Sequence, residues 1–217
     1  MSELQPSWPR WVLSILVATL LLPLLATLLY SLSTRWGATL MPDGFTLEWY
    51  LQLWGDPRFL AAFGRSLFVC FATLLLGTLV LVPTVLVVAY YFPKLDPWMN
   101  LLILLPFAVP PVVSSVGLLQ IYADGPLPII GTPWILIGTW FTVVLPFMYR
   151  ALANSLQGVP LKDLMDAAHL LGASSRRAFL LVVIPCLRKG LLAALFLSLS
   201  FLLGEFVFAN MLVGTRY

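Results

Sequence analysis

The sequence predicts an all-α fold, a polytopic bundle of transmembrane helices. Three observations carry that expectation: 61% of the 217 residues are hydrophobic, only 10% are charged, and the charges fall between long stretches that hold none. A soluble domain has roughly 45–50% apolar and about 25% charged residues. A chain of this size has too little interior to hide the excess apolar surface, so a water-soluble globular protein is excluded. The 14 glycines and 17 prolines are scattered without period, which excludes collagen-like and low-complexity chains.

A helix needs about 20 residues, at 1.5 Å each, to cross ~30 Å of hydrocarbon. Residues 11–34 form the first such stretch, following Arg10. The run is longer than the roughly 7–15 residues of a signal-peptide core, so it is read as an uncleaved helix. Residues 66–93 form the second stretch and 97–123 the third, in which Pro106, Pro110 and Pro111 remove backbone donors and should introduce bends. The fourth lies within 125–149, and the fifth, 190–215, is interrupted only by Glu205. Five spans are expected.

If the first helix enters from the cytoplasm, the inner segments hold Arg10, Lys94, Arg150, Lys162, Arg176, Arg177, Arg188 and Lys189, and the outer ones hold Arg35, Arg58, Arg65 and Arg216. The turn around Asp124 has no basic residue. Eight against four places the N-terminus in the cytoplasm. The net charge of +3 is then a mark of topology, and no nucleic-acid partner is read from it. The outer connection, 35–65, carries Trp36, Trp49, Tyr50 and Trp54, residue types of the membrane-interface belt. Cys70, Cys186 and the single His169 have no metal-ligand spacing, and both cysteines are read as small packing residues.

The inner connection, 150–189, is the informative one. Leu161, Leu164, Met165, Ala168 and Leu171 recur at helical spacing, with Lys162, Asp163, Asp166 and His169 on the opposite face. Pro160 suits the first turn of this short amphipathic helix, Asp163 its positive end, and Gly172 a left-handed stop. Ser174 or Ser175 would cap a second helix that runs until Pro185. Pattern alone leaves two uses for this elbow: a surface gripped by a partner, or an interfacial helix lying on headgroups.

Asp166-Ala167-Ala168, three residues, Gly172, nine residues, then Val182, Ile184 and Pro185 form a motif in the loop before the last predicted span. It resembles the E-A-A, G, I-x-L-P loop of the membrane permeases of binding-protein-dependent ABC importers. That resemblance implies a coupling helix over 160–171 docked in a groove of a cytoplasmic ATPase. Asp166 would be the acidic contact, Ala167 and Ala168 the small residues permitting close approach, and Gly172 the turn, with Pro185 closing the motif. It also implies two ATP-binding subunits, a second permease subunit, identical or different, and an extracytoplasmic solute-binding protein at a bacterial inner membrane. The chain has no phosphate loop of its own, since Lys94, Lys162 and Lys189 follow Pro93, Leu161 and Arg188 rather than glycine. No cofactor is expected, and ATP belongs to a separate subunit. Nor can a nucleophile, a base and an orienting group be assembled from one histidine and scattered serines, so no enzyme activity is expected.

Phe45-Thr46-Leu47-Glu48 with Tyr50, and Asp56-Pro57-Arg58-Phe59, are similar to the branch that imports polyamines, iron and aminoalkylphosphonates. Arg65 stands where that branch usually has Asn. The likeness implies a small amine-bearing solute, 2-aminoethylphosphonate first, then putrescine or spermidine. Such permeases commonly have six helices, so one permease domain over 1–217, C-terminally incomplete, is expected, with 150–189 as its coupling loop.

Glu205 costs about 2.5–3.5 kcal/mol to place inside a span on insertion scales, so it should face protein or water. It is a cation-attracting group on the substrate path, an interhelical hydrogen bond, or a side chain reaching toward the outer interface. Gly204-Glu205-Phe206 is similar to an acidic segment of the polyamine-like branch. Two further classes compete with the importer reading. An ion-coupled secondary transporter calls for repeats and several buried ionisable groups, which the sequence lacks. A non-transporting assembly subunit would leave the long inner loop without a task.

Overall fold

A computed structural model describes residues 10–39, 41–123 and 127–214. The turn at Asp124 and the basic residue Arg216 lie outside the described residues. The fold is all-α, with a single isolated bridge, Ser33 to Phe45, among the described residues. Three helices are long and apolar enough to cross a membrane alone, and there are five spans if each of two bent helix pairs counts as one.

The chain divides into two compact units, Met1–Ala61 and Ala62–Tyr217. In the first, α1 (Arg10–Ser31) is exposed along nearly its whole length, as an apolar helix meant for lipid would be. The chain then doubles back: Thr34 donates its N–H to Gly44 at 2.9 Å and Thr46 to Leu32 at 2.7 Å. This brings α2 (Glu48–Gly55) beneath the end of α1, where the Trp49 indole donates to the Ser33 carbonyl at 2.9 Å. The aromatics read as an interface belt therefore also hold this loop together.

Helix α3 (Pro57–Tyr91) starts nine residues before the predicted second span. Counting charge-free residues stops at Arg65, whereas the backbone responds to Pro57 in the first turn and to the Asp56 carboxylate, which accepts the Arg58 N–H at 2.8 Å. The bends expected from the prolines of the third span are present, and they break it into separate helices. After a 3-10 turn, α4 (Asp96–Leu102) and α5 (Leu105–Ala108) form one limb, α6 (Pro111–Tyr122) forms the other, and the limbs bend by 85°. Consecutive prolines at 110 and 111 cause it, because Val109 before them is forced into extended backbone, ψ 127°.

Helix α7 (Pro133–Gln157) is the axis of the second unit; Val144, Met148 and Leu152 are fully buried. It begins eight residues later than the charge-free stretch and continues two turns past Arg150. Helix α11 (Arg188–Gly204) packs chiefly on α7, with Gly190 so close to Ser155 that a side chain would overlap it. Phe107, Phe147 and Phe201 join α5, α7 and α11, with ring centroids 5.1–6.5 Å apart. The fifth span is corrected: α11 stops at Gly204, Glu205 is extended, and α12 (Val207–Leu212) begins beyond it, packed on α6 and α7.

Candidate coupling elbow and the Glu205 corner

Helix α8 (Leu161–Leu170) lies where the amphipathic pattern put it, with Pro160 at its N-cap. Its stop has a defined geometry. Gly172 takes φ +81°, and its N–H bonds to the His169 carbonyl at 2.9 Å, while the Ala173 N–H reaches back to the Ala168 carbonyl at 3.0 Å. These two bonds form a Schellman motif. The Ser175 hydroxyl meets His169 Nε2 at 3.3 Å and so bridges the same turn.

The second arm starts at Ser174, whose side chain makes no cap bond; its carbonyl accepts the Ala178 N–H at 2.9 Å instead. From α9 (Ser175–Ala178) the chain widens into a π turn over Phe179–Val183, then returns to α10 (Ile184–Cys186). Pro185 has no N–H to give the carbonyl four residues back, and a widened turn just before it follows from that. The arm ends after Cys186 rather than at Pro185, and α10 and α11 meet at a 68° bend. Cys186 is exposed, not a packing residue as its apolar neighbours suggested; its thiol donates to the Val182 carbonyl at 3.2 Å. Cys70 is buried as expected.

The elbow has two faces. Leu161, Met165 and Ala168 are buried against the second unit's core. Asp166 and Ala167 are exposed, and Leu170 and Leu171 at the tip are each 89% exposed. The two alanines therefore divide: Ala168 packs inward and lends its carbonyl to the turn, whereas Ala167 remains available at the surface beside Asp166. A Cβ at Gly172 would meet nothing within 4 Å, so the glycine is required by backbone conformation alone.

Glu205 sits at the break between α11 and α12. One carboxylate oxygen accepts the Phe208 N–H at 2.9 Å; the other accepts the Trp140 indole N–H at 2.9 Å and the Ala209 N–H at 3.3 Å. An interhelical hydrogen bond to α7 is thus present, and two of the three donors are backbone groups freed by the break. Next to this corner is a small pocket of about 210 Å³, whose lining includes Arg65, Ser66, Trp140, Phe206 and Asn210 but not Glu205.

Sequence reasoning missed two features. Trp140 stands 65 residues from Glu205, and nothing in its flanking residues marks it as the partner. The same holds for Tyr149, whose hydroxyl donates to Asp96 Oδ1 at 2.8 Å while Asn100 holds the other carboxylate oxygen at 3.0 Å. This cluster ties α4 to α7. The only local signal was an Asp and an Asn four residues apart at a helix start.

A multi-span all-α fold with a two-armed helical elbow before the last described span is the architecture expected of a membrane transport permease. Residues 82–216 match the family described as binding-protein-dependent transport system inner membrane component, and the chain belongs to that family. It is the permease subunit of an ABC importer, a multi-pass inner-membrane protein, and the family works with ATPase and solute-binding partners. Among its relatives, PhnV of Salmonella typhimurium, named for 2-aminoethylphosphonate transport, is 32% identical over 184 residues, covering 85% of this chain and 68% of that protein. PotB of Escherichia coli, named as a spermidine/putrescine permease, is 27% identical over 93% of this chain and 78% of its own length. CysT of Prototheca wickerhamii, named as a probable sulfate transport permease, is 31% identical over 70% of this chain and 63% of its own length.

Proposed function

We propose that this permease admits 2-aminoethylphosphonate, that its N-terminus lies in the cytoplasm, and that the α8 elbow is where an ATP-hydrolysing subunit pushes on it. A solute-binding protein would deliver the cargo to the outer face, and a second permease subunit, the same or different, would complete the pathway. On this reading ATP is bound and hydrolysed by the separate ATPase subunit. Closure of the ATPases would draw the elbows together and switch the pathway between its two openings.

The observation that carries this reading is the two-faced elbow. A helix with one side clamped into its own core and closed by a left-handed glycine transmits a push instead of absorbing it. Its exposed side offers Asp166, Ala167, Leu170 and Leu171 to a partner. Identity to PhnV supports the phosphonate cargo. Glu205, with three N–H donors on its carboxylate, acts as the builder of its corner.

The test is an Ala167→Cys variant cross-linked in membranes that contain the ATPase subunit with which it is extracted. A permease–ATPase adduct that forms and breaks with ATP is expected. If the cysteine instead reacts only with lipid-soluble reagents, the elbow lies on the bilayer and the docking reading fails. Uptake of labelled 2-aminoethylphosphonate, challenged with spermidine and sulfate, tests the cargo separately.

A further inference from the structure

The first unit holds an open pocket of about 450 Å³ at the end of α1, within the roughly 300–1,000 Å³ of ligand sites. Its wall is largely aromatic. Tyr30 and Trp36 stack with centroids 6.2 Å apart and planes 25° from parallel, and Trp49 and Tyr50 add to the lining. Such rings at the end of a span are ordinary in a membrane-interface belt. What they do with their hydrogens is informative here.

Five of the seven hydroxyl and indole hydrogens in this wall are spent on the chain itself. The Ser31 hydroxyl donates to the Leu28 carbonyl at 2.8 Å. In its 2.7 Å contact with Tyr50 the tyrosine must therefore be the donor, because a serine has one hydroxyl hydrogen. Ser33 donates to the Tyr30 carbonyl at 2.8 Å, the Trp36 indole to Thr39 at 3.0 Å and the Trp49 indole to Ser33 at 2.9 Å. The wall presents ring faces and oxygen lone pairs, and both attract cations. Arg35 also lines the pocket and has no acidic partner among the described residues. A cation will not settle beside a guanidinium unless it brings its own anion.

We propose that this pocket binds a short zwitterion, an alkylammonium carrying a phosphonate or phosphate, with the ammonium on the ring faces and the phospho group on Arg35. A phospho anion is favoured because the pocket lies at the end of an exposed apolar span, at the depth where headgroup phosphates sit. Two sources share that chemistry: free 2-aminoethylphosphonate and the headgroup of phosphatidylethanolamine. None of the pocket's lining residues belongs to the elbow or to the Glu205 corner. It rests on the reading above only for the identity of the free solute.

The full chain, in the assembly in which it is extracted, is labelled with 5-fluorotryptophan and placed in phosphatidylglycerol nanodiscs. The Trp36 resonance is assigned with Trp36→Phe. O-phosphoethanolamine or 2-aminoethylphosphonate should shift it saturably, whereas ethylamine and ethylphosphonate should not. If discs containing phosphatidylethanolamine show the shift beforehand and no longer respond, the headgroup is the natural ligand; if they still respond, the free solute is. Arg35→Gln and Tyr30→Leu, both at exposed positions, should each weaken binding about fivefold or more. No response to either zwitterion together with identical spectra in the two lipids overturns the proposal, and so does an Arg35→Gln variant that binds unchanged. A shift with O-phosphoethanolamine alongside failed uptake of 2-aminoethylphosphonate would sink the cargo reading and leave the pocket standing.

Discussion

Replacing Gly172 separates backbone conformation from every other contribution at the elbow. Its φ of +81° costs an L-residue about 1–2 kcal/mol, and more if the side chain is β-branched. No steric term is added, because a Cβ there meets nothing within 4 Å. One to two kcal/mol is a factor of roughly 5–30 in the population of the closed turn. Opening the turn also releases the bonds from Gly172 to His169 and from Ala173 to Ala168. The inner face of α8 stays anchored by Met165 and Ala168, so the helix and its partner surface should survive while the link to the second arm slackens. The expected order of ATP-driven uptake is therefore Gly, Asn, Ala, Val, with Asn near wild type because it tolerates the left-handed region. Proteoliposomes holding the permease, its ATPase and the binding protein supply the assay, read as solute moved per ATP hydrolysed. ATPase retention should be constant across the series, and the ratio should fall about tenfold by Val. A Gly172→Val variant that transports normally would refute the coupling role, and loss of ATPase binding in Gly172→Ala would refute the claim that only the turn is affected.

Three other substitutions probe the frame around the elbow. Gly190→Ala should lower thermal stability in detergent by about 1–3 kcal/mol, because the new methyl meets Ser155 and, at 3.2 Å, the Ala151 carbonyl of α7. Gly77→Ala should cost less, since its 2.6 Å neighbour is the sulfur of an unbranched side chain, Met148, with no backbone atom among its nearest neighbours, and adding Ser155→Gly should rescue Gly190→Ala but not Gly77→Ala. Tyr149→Phe removes one partner from the Asp96 carboxylate and should cost about 1–3 kcal/mol, with hydrogen exchange rising over Asp96–Leu102 in α4. A double-mutant cycle of Glu205→Gln with Trp140→Phe should give a coupling of about 0.5–3 kcal/mol in thermal unfolding; additive effects would show that the 2.9 Å bond contributes nothing.

What could be read from the residues was what local chemistry dictates. The amphipathic face of α8, the stop at Gly172 and a bend near Pro110 each follow from a few neighbouring side chains, and each is present. Helix ends were read less well. Charge-free runs mark what a membrane tolerates, whereas α3 begins at Pro57 and α7 runs to Gln157 because helix starts and stops obey capping and proline rules. The partners of Glu205 and Asp96 were out of reach, since both lie on α7, more than 50 residues away. Cys186 misled because an apolar neighbourhood in a membrane chain does not mean burial in protein.

The break at Glu205 shows why a charge belongs in that span. Interrupting a helix in hydrocarbon strands N–H and C=O groups where no water can reach them, at several kcal/mol each. Here the Phe208 and Ala209 N–H groups at the start of α12 turn to the carboxylate, and at its far end the Leu212 carbonyl takes the Gly131 N–H at 3.0 Å. A carboxylate is suited to this task because two oxygens offer about four acceptor sites, whereas a glutamine offers one oxygen and adds two donors that would themselves need partners. Its negative charge also faces the positive end of α12. The insertion cost that made Glu205 look like a functional site is thus offset largely by bonds the broken backbone needed anyway. An amine reaching this corner would compete with three donors fixed by the fold, so the corner does not depend on a cationic cargo.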